Sequence, residues 1–270
     1  MLEKEVIEIF YKRGLPVGTC DFEDVSFSYE KTEFKKVFVT LIPYWFKPEM
    51  PHNISIYAML PDYHVVVGEL LSEIVSELKR LFPENKFEPH VDVSPINEKK
   101  AAVLAGLGFI GKNTLLINKE FGSFLFIGDI CTDAEIDLNG KIIPNGCGDC
   151  LKCKISCPGK ALDSGFDCEK CISAITQKKG ELTAEQRDLL RRTKSVWGCD
   201  ICSIVCPYNQ NLKSSVYAEK YKENLLYNLT EDMISGLSNG EFKKRFKERA
   251  FAWKGVSVLR RNLEAVKYLD

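Results

Sequence analysis

The sequence predicts an α+β protein, and three observations carry that reading. Short β-branched runs alternate with helical periodicities through the first half of the chain. Nine of the eleven cysteines then crowd into residues 147–206, where no long apolar period survives. Beyond residue 208 the sequence turns polar and helical, with eight Lys/Arg against two acids over residues 241–261. These shifts divide the 270 residues into an α/β domain over 1–140, a cysteine-rich domain over 141–212 and a helical C-terminal segment over 213–270.

The elements of the first domain follow from spacing. Residues 2–12 form an amphipathic helix, with Leu2, Val6, Ile9 and Phe10 on one face and Gly14 and Pro16 as stop signals. Residues 36–42 (KVFVTLI) read as a buried strand. From Val67, the residues Leu70, Leu71, Ile74, Val75, Leu78 and Leu81 recur at three- and four-residue steps until Pro83. That run predicts the longest helix. Residues 87–93 read as a strand, 98–105 as a short helix, and 114–130 as a hairpin turning near 119–122. Alternation in the strand puts Asp92 opposite Val91 and Val93. In an apolar pocket this carboxyl could hold and donate a proton; at an exposed strand position it would do nothing.

Composition excludes several classes of protein. An apolar fraction of 45% builds real cores, and a net charge of -1 excludes a chain that coats nucleic acid by bulk charge. The opening MLEKEVIEIF mixes Glu3, Glu5 and Glu8 into its apolar residues, and no stretch reaches a bilayer-spanning length. The expected location is the cytoplasm, without a membrane partner. In that reducing compartment, closely spaced cysteines bind metal rather than pair.

The strongest motif is Cys147, Cys150, Cys153 and Cys157 followed by Pro158, spaced CxxCxxCxxxCP. This is the run of bacterial ferredoxins, whose fourth cysteine serves a second [4Fe-4S] cluster. Cys199, Cys202 and Cys206 before Pro207 supply three further ligands, and Cys171 completes the set with Cys168 as its rival. The expected assignment gives one cluster Cys147, Cys150, Cys153 and Cys206, and the other Cys157, Cys171, Cys199 and Cys202. A ferredoxin-like double-cluster domain results. Two structural zinc sites are the alternative, disfavoured because zinc modules pair CxxC knuckles. Cys20 and Cys131 lie outside the set and read as inert thiols.

Two glycine motifs mislead. Gly106, Gly108 and Gly111 satisfy GxGxxG, and residues 106–112 satisfy GxxxxGK, yet a helix precedes them and a strand follows. Phosphate-binding loops have the reverse order, and Asn113 stands where a Walker loop needs Ser or Thr. A turn allowing close approach of a neighbour or a cofactor is the simpler reading. Asp62, His64 and Gly68 nearly spell a cobalt-ligating Asp-x-His-x-x-Gly, but one extra residue separates His64 from the glycine.

Taken together, VDVSP (91–95), AGLGFIGKNTLLI (105–117), GSFLFIGDI (122–130), the cysteine run, CIS (171–173) and GCDICSIVCPYN (198–209) resemble the epoxyqueuosine reductase family. The resemblance implies a cobalamin-binding-like N-terminal domain and an oxidoreductase that reduces the epoxide of epoxyqueuosine in the tRNA anticodon region to queuosine. It implies cobalamin fed by two [4Fe-4S] clusters, which in turn take electrons from a low-potential donor such as ferredoxin or flavodoxin. Asp92 takes the proton-donor role. Tyr57, Ala58, Asp62, Tyr63 and His64 match the family's YAxGxDYH segment, and Gly106, Gly108, Gly111, Lys112 and Asn113 its glycine loop, which implies cofactor contact for both. Lys243, Lys244, Arg245, Lys247, Arg249, Arg260 and Arg261 resemble its C-terminal basic segment and could meet tRNA phosphates. Leu60 replaces the usual glycine, VDVSP a typical VDTGP, and Phe109 and Tyr208 tryptophans. Those departures leave open a paralogous corrinoid and iron-sulfur reductase with another substrate, or a non-catalytic two-cluster electron carrier.

Overall fold

The computed structural model describes residues 2–27, 33–138 and 140–267. In chain order the elements are α1 (Leu2–Tyr11), β1 (Val17–Asp21), α2 (Phe22–Val25), β2 (Lys36–Pro43), α3 (Ile56–Met59) and α4 (Tyr63–Leu81). There follow β3 (Phe87–His90), α5 (Glu98–Leu104), β4 (Phe109–Ile110), β5 (Leu116–Ile117) and β6 (Leu125–Thr132). The remainder is helical: α6 (Lys152–Ser156), α7 (Ile172–Gln177), α8 (Ala184–Thr193), α9 (Ile201–Ile204), α10 (Val216–Lys220), α11 (Glu231–Ile234), α12 (Asn239–Arg245) and α13 (Val256–Lys267). The class is α+β.

By packing, these elements form two compact units. The first comprises Met1–Tyr44 with Tyr63–Gly148, the second Trp45–Asp62 with Asp149–Asp270. The segment 45–62 thus belongs with the cysteine-rich region, and the C-terminal helices share that same unit.

The first unit is built on a sheet of order β1-β2-β6-β3, antiparallel at every junction. Alternation sends Val37, Val39, Leu41 and Cys131 to one face, under Ala101, Ala102 and Ala105 of the α5 region. The small side chains bring that helix close: a Cβ on Gly18 would lie 2.1 Å from the Ala105 carbonyl oxygen. The other face meets α1 and α4, where Phe10 stacks on Phe38 at 6.3 Å and Leu71 lies over Gly128. The long α4 helix buries Val67, Leu71, Ile74, Val75 and Leu78, the apolar stripe that its spacing predicts.

Two expectations fail here. The strand predicted over 87–93 stops at His90, and Asp92 takes a left-handed φ of 65° in a turn closed by Val93 N–H to Val91 O at 2.7 Å. Aspartate tolerates that conformation better than most residues, and Ser94–Pro95 behind it favours a turn. Of the hairpin expected over 114–130, the turn is present as an antiparallel bridge between Asn118 and Gly122, but its arms do not pair with each other. Leu116–Ile117 pairs with Phe109–Ile110, while Leu125–Thr132 leaves to join β2 and β3.

In the second unit Ile172, Ile175, Leu182, Leu189, Leu190 and Ala265 form one apolar cluster around α7, α8 and α13, and Met59, Leu60, Phe242 and Leu259 are buried as well. Helix α8 opens with a full capping box between Thr183 and Gln186. Buried Asn262 donates to Thr176 O and Val196 O, tying α13 to both neighbours. Trp197 is wholly buried against the edge of Phe251.

Candidate iron-sulfur and acid sites

None of the eleven cysteines is in a disulfide. Cys157, at the C-terminus of α6, Cys171, capping α7, and Cys199 and Cys202, around the start of α9, come together in the second unit. Burial pushes the Cys199 thiol up to about 12, and Asp200, Cys202 and Cys171 add to the shift. Burial does the same to Cys202, also about 12, with Cys171, Asp200 and Cys157 contributing. A pocket that raises these thiols needs a metal to hold them as thiolates, so the donor set fits an iron cluster. Ala161 N–H already donates to Cys157 Sγ at 3.3 Å, the kind of bond that tunes cluster sulfur. Cys168 is exposed and does not join the group that perturbs Cys199 and Cys202.

For the other set, Cys153 lies within α6, which packs against α9, and buried Cys206 caps the turn begun by Pro207. Cys147 falls at the end of the first unit, its N–H donating to Asn145 Oδ1 at 2.9 Å. Asp200 was not legible as a site residue. Half-buried, with desolvation raising its pKa, it accepts from Ile56 N–H at 2.7 Å and Ser55 Oγ at 3.0 Å. It thereby anchors the segment carrying Tyr57 and Ala58 beside the cysteine pair of α9. Tyr57 Oη accepts from Trp197 Nε1 at 2.8 Å, and Ala58 is buried.

In the first unit, Asp92 is exposed on its turn and its Oδ2 stands 3.3 Å from His64 Nε2. Tyr63 and His64 begin α4; the Tyr63 ring stacks on His64 and on Phe126, each with centroids 4.1–4.4 Å apart. Asp62 precedes them in the second unit, its N–H donating to Glu248 O. Below the turn lie acids that sequence reasoning missed. Glu98 Oε1 accepts the Asp92 N–H at 3.1 Å, and buried Asp129 accepts from Ser94 Oγ at 3.0 Å and pairs with His90 Nδ1 at 3.1 Å. Burial, then the charges of Asp129 and Asp92, push Glu98 up to about 7. Burial opposes the charge on His90, but Asp129 and Glu88 outweigh it and raise its pKa. In sequence, Glu98 is an ordinary acid in a helix's first turn and Asp129 an ordinary strand residue.

The glycine loop is explained by the chain's own packing. A Cβ on Gly108 would lie 2.5 Å from Ile117 O, one on Gly111 would strike the Ile117 side chain, and one on Gly106 would meet the Lys141 backbone. Lys112 Nζ donates to Gly148 O. One observation there fits a bound group: Asn113 is buried and its Nδ2 has no hydrogen-bond partner among the described residues.

The basic stretch is divided by its partners. Arg261 is buried, with its guanidinium on Lys178 O, Gly180 O and Ile175 O. Arg260 holds Ile234 O and Leu237 O, and Arg249 holds Met59 O and Asn224 O. All three arginines satisfy backbone carbonyls, and burial of Arg261 takes it out of reach of phosphates. Lys243, Lys244 and Lys247 stay exposed.

Residues 146–209 match the 4Fe-4S double cluster binding domain family, which makes the cysteine-rich region a double-cluster iron-sulfur domain. Epoxyqueuosine reductase of Lactococcus garvieae is 34% identical over 75% of this chain and 57% of its own length. That of Gloeobacter violaceus is 34% identical over 78% of this chain and 67% of its own. The chain belongs to the epoxyqueuosine reductase family. It spans little more than half the length of several of these relatives, 53–57% for the first three. Among solved structures, epoxyqueuosine reductase from Streptococcus thermophilus superposes with TM-score 0.80 at 25% identity, covering 98% of this chain and 80% of that one. One bound to an epoxyqueuosine-modified tRNA stem loop gives 0.82 at 24%, and one from Bacillus subtilis with its catalytic aspartate loop swung out of the active site gives 0.83 at 22%, with the same coverage. No helix among the described residues is long and apolar enough to cross a membrane.

Proposed function

We propose that this chain reduces the epoxide of epoxyqueuosine in a tRNA anticodon to queuosine, in the cytoplasm, with two [4Fe-4S] clusters and cobalamin. The observation that carries the proposal is the placement of Asp92: an exposed carboxyl on a left-handed turn, 3.3 Å from His64. A relative has its catalytic aspartate on a loop able to swing, and another binds the modified stem loop.

Converting the epoxide to an alkene consumes two electrons and two protons and releases water. Cobalamin, when bound, supplies the strongly reducing centre for that step, and the clusters supply electrons singly. The chain's own residues supply the rest. Asp92 Oδ2 offers a proton to the departing oxygen, while His64 orients that carboxyl and gives it a route to solvent. Asn113 Nδ2 and the Tyr63 and His64 rings are the groups suited to hold the cofactor. Cys147, Cys150, Cys153 and Cys206 would hold one cluster, and Cys157, Cys171, Cys199 and Cys202 the other. Lys243, Lys244 and Lys247 are left for tRNA phosphates, and a low-potential donor such as ferredoxin or flavodoxin loads the clusters.

One observation favours the second reading, a paralogous reductase of a smaller substrate. A groove of about 690 Å³ beside His64 and Val91 is walled by Glu69 and Glu73, which would repel phosphate. The experiment is turnover by the anaerobically reconstituted, cobalamin-loaded chain on an epoxyqueuosine stem loop and on the free epoxynucleoside. Turnover of the stem loop at far higher kcat/KM supports the proposal; equal turnover of both favours the paralogue, and turnover of neither overturns the enzymatic assignment.

A further inference from the structure

The turn that presents Asp92 is held at two points, and they differ in kind. Ser94 Oγ donates to Asp129 Oδ1, a carboxylate sealed in the sheet and matched by His90. The other hold is on the main chain: Asp92 N–H donates to Glu98 Oε1 at 3.1 Å. That bond falls on the residue with φ of 65°, a conformation uncommon outside glycine that aspartate adopts at a modest cost. We propose that Glu98 is the positioning residue of the acid turn: its carboxylate holds the Asp92 backbone in the presenting conformation, and taking up a proton loosens the turn.

The surroundings of Glu98 make this hold sensitive to pH near neutrality. Asp92 faces it from the turn, Asp129 from β6 and His90 from β3, so two acids oppose one imidazole, and Glu88 backs that imidazole. His64 of α4 meets Asp92 from the other side. Lys99 and Lys100 of its own helix are engaged with Thr114 O and Asp24 O. The burial and like charge that push Glu98 up to about 7 place its titration in the working range. An ionised acceptor holds an amide more strongly than a neutral one. The inference rests on the reading of Asp92 as the proton donor, but the hold itself is measurable without turnover.

The test is hydrogen exchange by mass spectrometry over residues 91–94 in the cluster-loaded full chain, at pH 6 and pH 8, each normalised to intrinsic rates. In Glu98→Ala, exchange there should be about tenfold faster than wild type at pH 8, the ratio falling toward one at pH 6, with β6 unchanged. Glu98→Gln should remove the pH dependence, and Glu98→Asp should restore part of it. Equal exchange in Glu98→Ala and wild type at pH 8, or a ratio indifferent to pH, overturns the inference; if alanine loosens β6 as well, the Gln and Asp variants decide by the same criterion. In turnover, Glu98→Gln should lower kcat about tenfold at unchanged KM and flatten the acid limb of the kcat profile. An inactive wild type would sink the proposed function and leave the exchange result standing on its own.

Discussion

The two units are held together by different physics. The first is a four-stranded antiparallel sheet with helices on both faces, and its core of Phe10, Phe38, Val39, Leu71 and Leu78 is sealed from water. The second has short helices around buried side chains such as Trp197, Phe242, Phe251 and Leu259, and cysteines of which most are only partly buried. Apolar burial suffices for one. The other buries apolar side chains as well, and its closely spaced cysteines add metal clusters as staples.

The largest effect that sharpens this contrast is loss of a ligand. Cys202→Ser should drop iron from about eight to about four per chain and make the second unit protease-sensitive, while the first stays resistant. Iron analysis with limited proteolysis reads both. Conversely, Leu71→Ala should cost about 3 kcal/mol in denaturant unfolding of the first unit, since it empties a site packed over Gly128, and leave iron content unchanged. Equal losses of iron in both variants would break the contrast.

Smaller effects separate structural from recognition charges. Arg261→Ala should destabilise the second unit by about 2 kcal/mol by orphaning three carbonyls, without weakening tRNA. The double variant Lys243→Glu, Lys244→Glu should do the opposite, weakening stem-loop binding severalfold at low salt with unfolding unchanged. The smallest effect concerns Glu98. Its folded pKa of about 7 exceeds its ordinary 4.5, so the folded state binds the proton more tightly and stability falls as pH rises between those values. Glu98→Gln should therefore gain about 1 kcal/mol at pH 8 and nothing at pH 4, by denaturant titration at each pH.

Sequence made the elements with strong periods legible. The stripe from Val67 to Leu78 gave its helix directly, and the cysteine spacing named its chemistry before any fold was known. What escaped depends on contacts distant in the chain. The alternation of VDV predicts Asp92 in a strand, yet the pairing that makes β3 ends at His90, opposite Asp129 of β6. Residues 116–117 and 125–132 look like the arms of one hairpin but find separate partners. Arg261 sits in a basic run, and only the fold shows that it turns inward to three carbonyls. Glu98 and Asp129 carry no local mark at all, since their roles come from burial beneath a turn.

The central claim is that Asp92 delivers the proton while the clusters and cofactor deliver electrons. Its most direct measurement is single-turnover conversion of the epoxyqueuosine stem loop by wild type and Asp92→Asn, matched for iron and cobalamin content. The account predicts a rate at least about 100-fold lower in the variant with unchanged cluster spectra; a variant as fast as wild type would contradict it.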